Sequence, residues 1–263
     1  MRTNVFLRRR GRRDLFRLAA LGLGSVAIAC GRIGGGDDKP DEGATSEEPA
    51  TPKARGQDSE SGTPAPAAAV VAGDPQCLVT KTQGLSAGYV PADLTPVPSR
   101  ILAGNNVQLR TQATDAVVRL IDDASREGHS LFVLSGFRTY QEQERILKDE
   151  IAAFGKTVAE KQVAPPGNSE HQLGLAVDVT SERAPYELTE AFGTWPEGRW
   201  LADNAARFGY VLSYPLGKES VTGYIYEPWH IRYVGLPLSE EVAASGLTLT
   251  EFLPKHNLVG PCP

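Results

Sequence analysis

Residues 31–76 limit what this chain can fold into. The segment is rich in Gly, Pro, Ala, Ser, Thr, Asp and Glu, contains no aromatic residue, and shows no helical or strand periodicity. A segment of this composition cannot bury enough apolar surface to offset the entropy lost on folding, so we predict a disordered linker. The foldable part is therefore residues 77–263, which is long enough for a single well-buried core.

Residues 1–30 have the layout of an export signal. An Arg-rich start is followed by an apolar run, residues 18–29, that is too short to span a bilayer as a stable helix. Residues 12–16 resemble a twin-arginine signal, and residues 27–30 resemble a lipoprotein cleavage box with Cys30 as the lipidated residue. We expect export to the cell envelope, with membrane contact only through a lipid at Cys30 or with release after ordinary signal cleavage. A basic disordered tail is the alternative.

The charge of the remaining chain argues against a nucleic-acid partner. Residues 1–29 hold seven Arg and one Asp, so without them the 27 basic and 32 acidic residues become 20 and 31, a net charge of −11. Nucleic-acid binding depends on phosphate contacts from Lys and Arg, and this region is too acidic to supply them.

Two cysteines stand at the ends of the foldable part. Cys77 and Cys262 remain once Cys30 is assigned to lipid, and an oxidising compartment would allow them to pair. A bridge between them would tie both ends of one domain together and would stabilise it by up to about 5 kcal/mol in the loop-entropy description.

The apolar patterning predicts an α+β domain in which a small, mostly antiparallel sheet is flanked by helices. Thr139 and Glu142 form a capping box for a helix that stops at Gly155, and Thr248 and Glu251 form another near the C-terminus. A long loop is expected between Gly155 and the following strand. The other predicted elements are helices at 106–127 and 198–208 and strands at 130–135, 173–180, 210–214 and 224–234.

Four polar side chains could build a catalytic metal site. A mononuclear zinc hydrolase needs three protein ligands, an open position for water, and a carboxylate that takes the proton of that water. His171, Asp178 and His230 could be the ligands and Glu227 the base, although a His/Asp pair by itself is more often structural. Glu227 and His230 would fall on opposite faces of a regular strand, but Pro228 favours a bend that could bring both to one metal.

Three ordered motifs carry a family resemblance, at Ser135 to Arg138, Ser169 to Asp178, and Glu227 to Gly235. They resemble the motifs of the VanY-type D-alanyl-D-alanine carboxypeptidases, which are M15 zinc peptidases that trim bacterial cell-wall peptides. The resemblance covers about residues 108–237. It implies one Zn²⁺ per chain, with His171, Asp178 and His230 as ligands, Glu227 as the general base, and Arg138 beside the substrate.

Further residues are candidate substrate contacts. The fork of Arg138 can bind either a substrate carboxylate or the oxyanion of a tetrahedral intermediate, and both readings stay open. The resemblance makes Gln143 and Ser169 candidate contacts to the terminal groups of the peptide; the alternatives are a solvated helix residue and a loop residue. Trp229 could form a wall of the pocket, and it could equally be part of the core.

The resemblance implies a carboxypeptidase that removes the C-terminal D-alanine from peptidoglycan stem peptides. An L,D-carboxypeptidase or a peptidoglycan endopeptidase is the alternative within the enzymes, and a non-catalytic cell-wall-binding module is the alternative outside them. Glu227 argues against the module, because a purely structural zinc site is usually closed by four protein ligands and needs no spare carboxylate. We expect a monomer.

Overall fold

The computed structural model describes residues 75–104, 106–184 and 187–263. The predicted export signal, the predicted lipidation site Cys30 and nearly all of the predicted linker lie outside the described residues. Among the residues that are described, no helix has the length and the apolar character needed to cross a membrane.

The described elements are short strands and helices. In chain order they are β1 (Leu94–Pro96), β2 (Gln108–Arg110), α1 (Thr111–Arg126), β3 (Leu131–Ser135), α2 (Tyr140–Phe154), α3 (Lys156–Gln162), β4 (Ala176–Ser181), α4 (Pro196–Asn204), β5 (Tyr210–Leu212), α5 (Glu219–Thr222), β6 (His230–Tyr233), α6 (Leu238–Ser245) and α7 (Leu249–Lys255). Short 3₁₀ turns join several of them, including one at Glu170–Leu173. The predicted α+β class is confirmed.

The main sheet has the strand order β3-β4-β6-β5, and every neighbouring pair in it is antiparallel. Asp178 on β4 lies directly opposite His230 on β6. On the other side of β4, Ser135 is the partner of Asp178, next to a register shift that begins at Val133. The register therefore brings two of the predicted ligands side by side.

The helix predicted over 106–127 begins later than its periodicity indicates. Gln108–Arg110 are strand β2, which pairs with β1, and α1 starts only at Thr111. Pairing with a strand ten or more residues upstream is a non-local contact that helical periodicity cannot reveal. The apolar face of α1 packs with the sheet in one core, whose members include Leu109, Val117, Leu120, Leu131, Val133, Val177, Val179 and Ile231.

Helix α2 starts and stops where the sequence predicts. The Thr139 side chain accepts from the Glu142 N–H while the Glu142 side chain accepts from the Thr139 N–H, and Gly155 follows the last turn. The prediction of a long loop after Gly155 is wrong, because helix α3 begins at the next residue, Lys156. Its single buried residue, Ala159, gives almost no apolar periodicity, and α3 is held instead by packing on α2.

The strand predicted over 224–234 is confined to β6. Glu227 to His230 form a turn in which the Glu227 carbonyl accepts from the His230 N–H at 3.1 Å, with Pro228 and Trp229 at its centre. Proline suits this position because its fixed φ matches the first central residue of a turn. The bend that Pro228 predicts is therefore present.

The two ends of the described domain are covalently joined. A disulfide with an S–S distance of 2.04 Å links Cys77 and Cys262 across 185 positions of sequence. Cys77 is fully buried in the main core, so the start of the domain is anchored beside the sheet.

Candidate metal centre

Three buried side chains converge at one point beside the sheet. The ligand atoms offered by His171, Asp178 and His230 all lie within 4.8 Å of one another. His171 Nε2 is 3.3 Å from Asp178 Oδ2, and His230 Nδ1 is 3.1 Å from Asp178 Oδ1. Each residue is at most 4% exposed, so the donor atoms are shielded from bulk water.

A tight turn delivers His171 to the strands that carry the other two donors. Ser169 caps the 3₁₀ turn Glu170–Leu173, with its Oγ accepting from the His171 N–H at 3.4 Å. Gly174 then ends the turn with a φ of +68°, a conformation that favours glycine. The chain enters β4 directly afterwards, which places Asp178 close to His171.

The two imidazoles present different nitrogens to the centre. His171 Nδ1 lies 2.7 Å from the Gly136 carbonyl oxygen, which can only accept, so Nδ1 carries the proton. The lone pair that could bind a metal is then on Nε2. His230 is reversed: its Nε2 lies 2.9 Å from Glu170 Oε2, and Nδ1 faces Asp178. Each ring is thus held by an acceptor on the side away from the centre.

Burial and the neighbouring charges shift the pKa values of the two histidines in opposite directions. Burial lowers the pKa of His171, which leaves its ring neutral. Burial by itself would also lower the pKa of His230, but the hydrogen bonds and charges of Asp178 and Glu170 outweigh it and raise that pKa to about 10. Burial opposes ionisation of Asp178, yet the neighbouring His171 and His230 hold its pKa well below the usual range.

The donor set fits a zinc ion. Zinc accepts imidazole nitrogen and carboxylate oxygen at about 2.0–2.2 Å, so tetrahedral ligands lie roughly 3.4 Å apart. Both histidine-to-Asp178 distances match this spacing. Three protein donors leave the fourth position open, which is the arrangement of catalytic rather than structural zinc sites.

A second acidic side chain lines the same cavity. Glu227 is 5% exposed, and its backbone is fixed on both sides, by the bond from its N–H to the Tyr214 carbonyl at 3.0 Å and by the turn to His230. Burial and, to a smaller extent, the charge of Glu227 raise the pKa of Tyr224. The buried hydroxyl of Tyr224 has no hydrogen-bond partner among the described residues. That phenol therefore stays protonated at the wall of the cavity.

Arg138 is held in place by a buried amide. Its Nη1 donates to Gln143 Oε1 at 2.7 Å, and Gln143 Nε2 donates to the Ala164 carbonyl at 2.7 Å. Arg138 Nη2 is 3.9 Å from Asp178 Oδ2, so the guanidinium stands beside the donor set. Gln143 is 1% exposed, which excludes the alternative of a solvated helix residue.

All eight candidate site residues of the sequence analysis line one cavity: Arg138, Gln143, Ser169, His171, Asp178, Glu227, Trp229 and His230. Trp229 is both a core residue and a wall of the cavity: it is 2% exposed, packs within the main core and also borders the cavity.

The sequence reasoning missed an ion pair behind the donor set. Glu170 Oε1 lies 3.0 Å from Arg232 Nη1, and Arg232 is fully buried. Burial alone would raise the pKa of Glu170, but His230, Arg232 and Ser213 lower it to about 2. Strand periodicity was an available signal, because Arg232 follows His230 by two residues and so shares its face of β6.

Three potential zinc ligands and a carboxylate in one cavity are the side chains that a mononuclear zinc hydrolase requires. The family model described as VanY, D-alanyl-D-alanine carboxypeptidase, matches residues 106–236. The chain belongs to this family. The expected membership is confirmed.

Individual relatives agree with this membership. The Bacillus subtilis (strain 168) protein YodJ, whose name assigns it provisionally to the carboxypeptidases, is 40% identical over 181 residues, 68% of this chain and 66% of that protein. A structure of the LdcB LD-carboxypeptidase is 39% identical with a TM-score of 0.64, covering 69% of this chain and 87% of the other. A structure of VanYB in complex with D-alanine-D-alanine is 33% identical with a TM-score of 0.58, covering 68% and 97%.

The match does not extend over the whole of the curated relatives. The chain spans 66%, 62% and 46% of the lengths of three of them.

Proposed function

We propose that the protein is a zinc-dependent carboxypeptidase that removes the C-terminal D-alanine from peptidoglycan stem peptides. The observation that carries this proposal is the position of Glu227, a carboxylate that lines the cavity holding the His171, Asp178 and His230 donors. A non-catalytic wall-binding module would have no use for a carboxylate beside an open coordination position.

The side chains divide the chemistry of peptide hydrolysis between them. A zinc ion held by His171, Asp178 and His230 would polarise the scissile carbonyl and make a water molecule acidic enough to react near neutral pH. Glu227 accepts the proton of the attacking water and passes it to the leaving amine, which requires a carboxylate that reaches both. Burial of Glu227 restricts its side chain to this cavity.

We assign Arg138 to the negative charge that develops at the scissile carbonyl. Its Nη2 lies 3.9 Å from Oδ2 of Asp178, a potential zinc ligand, and so close to where that charge would develop. Its Nη1 donates a hydrogen bond to Gln143. A pre-oriented guanidinium in a water-poor site stabilises an oxyanion without reorganising during the reaction. Ser169 and Trp229 complete the wall against which the terminal residue of the peptide would lie.

L,D-carboxypeptidase activity is the second candidate, because the LdcB structure at 39% identity has that activity in its name. Incubation with a pentapeptide ending in D-Ala-D-Ala and with the tetrapeptide that ends one residue earlier distinguishes the two. Release of D-alanine from the pentapeptide alone, abolished by a chelator, supports the proposal. Release from the tetrapeptide alone supports the second candidate.

We further propose that residues 77–263 act outside the cytoplasmic membrane as a monomer, on a lipid anchor at Cys30 and a linker of residues 31–76. The Cys77–Cys262 disulfide supports export, because such bonds persist in oxidising compartments. Mass spectrometry of the N-terminal peptide of the mature protein tests the anchor, and a diacylglycerol adduct on Cys30 is expected. An unmodified new N-terminus would instead show ordinary signal cleavage.

A further inference from the structure

Glu170 is a buried carboxylate whose two oxygens are both engaged by other elements. Oε2 accepts from Ser213 Oγ at 2.6 Å and lies 2.9 Å from His230 Nε2, while Oε1 accepts from Arg232 Nη1 at 3.0 Å. Glu170 is 4% exposed. Charge-assisted bonds from three directions fix the orientation of this carboxylate.

The contact with Glu170 determines which nitrogen of His230 is free. An ionised carboxylate only accepts hydrogen bonds, so the Nε2 of His230 must carry the proton. When this ring is neutral, as it must be to bind a metal, its lone pair is therefore on Nδ1, which faces Asp178 at 3.1 Å. His171 has the opposite tautomer, set by the carbonyl oxygen of Gly136.

The two ligands therefore differ in the charge of the group behind them. His171 is supported by a neutral carbonyl, and His230 by a carboxylate. Arg232 compensates the charge of Glu170 and is itself tied to the start of the domain, since its Nη2 donates to the carbonyls of Pro75 at 2.9 Å and Cys77 at 3.0 Å. The carboxylate is thus kept ionised and immobile in the interior.

We propose that Glu170 is the positioning residue of the metal centre. Its carboxylate accepts from the Nε2–H of His230 and so fixes the tautomer and the ring orientation in which Nδ1 binds zinc. It also makes the imidazole of His230 a stronger zinc ligand than that of His171. The inference rests on the proposed zinc site and adds to it a residue that touches neither zinc nor substrate.

Zinc affinity is the primary test. The dissociation constant is measured by competition with a chromogenic chelator for the wild-type protein, Glu170→Gln and Glu170→Leu, with Glu144→Gln as the control on an exposed position of α2. Loss of an outer carboxylate partner weakens metal binding by about 10–100-fold. We expect the zinc dissociation constant of Glu170→Leu to rise by an amount at the upper end of that range. The constant of Glu170→Gln should lie between those of Glu170→Leu and the wild type, and that of Glu144→Gln should not change.

A second readout separates positioning from general stability. In ¹H–¹⁵N spectra of the zinc-loaded protein, the Nε2–H of His230 gives a protected signal in the wild type, and we expect that signal to exchange rapidly with water in Glu170→Leu. Thermal melts of the metal-free proteins report whether each variant folds. Should Glu170→Leu fail to fold, Glu170→Gln and Ser213→Ala, which removes one bond to Oε2, carry the test.

The outcomes are distinguishable from those of the proposed function. Folded Glu170 variants that bind zinc as tightly as the wild type, with an unchanged His230 signal, overturn the positioning role alone. A wild-type protein that binds no zinc contradicts the proposed function and this inference together.

Discussion

Gln143 orients Arg138, a cation that lies beside the donor set. Gln143 Oε1 accepts from Arg138, and Gln143 Nε2 donates to the Ala164 carbonyl. Replacing Gln143 by Leu therefore removes the hydrogen bond that orients the guanidinium. We expect Gln143→Leu to lower kcat by roughly 10–100-fold with little change in KM, since an oxyanion contact acts mainly in the transition state. Gln141→Leu, on an exposed position of the same helix, is the matched control. A raised KM with unchanged kcat would assign Arg138 to the substrate carboxylate instead.

Zinc and protons compete for His230. In the metal-free protein its pKa is raised to about 10, so near neutral pH the ring carries a proton on Nδ1 that must leave before zinc binds there. His171 releases none, because burial lowers its pKa. Titration calorimetry at pH 6.5 in buffers of different ionisation enthalpy should show about one proton released per zinc, with affinity rising toward pH 10. Binding without proton release would contradict this protonation state.

At the scale of elements, the segment after β3 carries both an imidazole support and Arg138. A Cβ added at Gly136 would lie 2.5 Å from Val107 Cγ1 and 2.7 Å from the Gln108 carbonyl oxygen, and the Gly136 carbonyl is the acceptor for His171. We expect Gly136→Ala to destabilise the fold by about 1–3 kcal/mol and to weaken zinc binding, as measured by urea unfolding and chelator competition. Gly88→Ala, where a Cβ meets nothing within 4 Å, should do neither.

The elements also show where sequence reasoning stops. Capping boxes at Thr139 and Thr248 predicted helix starts correctly, because a cap is a local interaction between neighbouring residues. Strand β2 and helix α3 were missed, because β2 depends on pairing with a distant strand and α3 on packing against α2. The ordered motifs predicted the residues of the cavity, but the Glu170–Arg232 pair required the register of the turn and β6.

At the scale of the molecule, the disulfide and the metal centre are connected. The Cys77 carbonyl accepts from Arg232, which pairs with the Glu170 that supports His230. Replacing Cys77 and Cys262 by Ala should lower the free energy of unfolding by up to about 5 kcal/mol in the loop-entropy description. It should also weaken zinc binding several-fold, because the start of the domain is no longer clamped beside Arg232. Unchanged urea unfolding and zinc affinity would show that packing alone holds this end.

The central claim is that zinc and Glu227 act together in hydrolysis, and Glu227→Gln tests it most directly. The substitution removes the proton acceptor but none of the three zinc donors. Elemental analysis should therefore find one zinc per chain, while D-alanine release from a D-Ala-D-Ala pentapeptide should fall by at least about 10²–10⁴-fold. Full zinc content with turnover equal to that of the wild type would contradict the account.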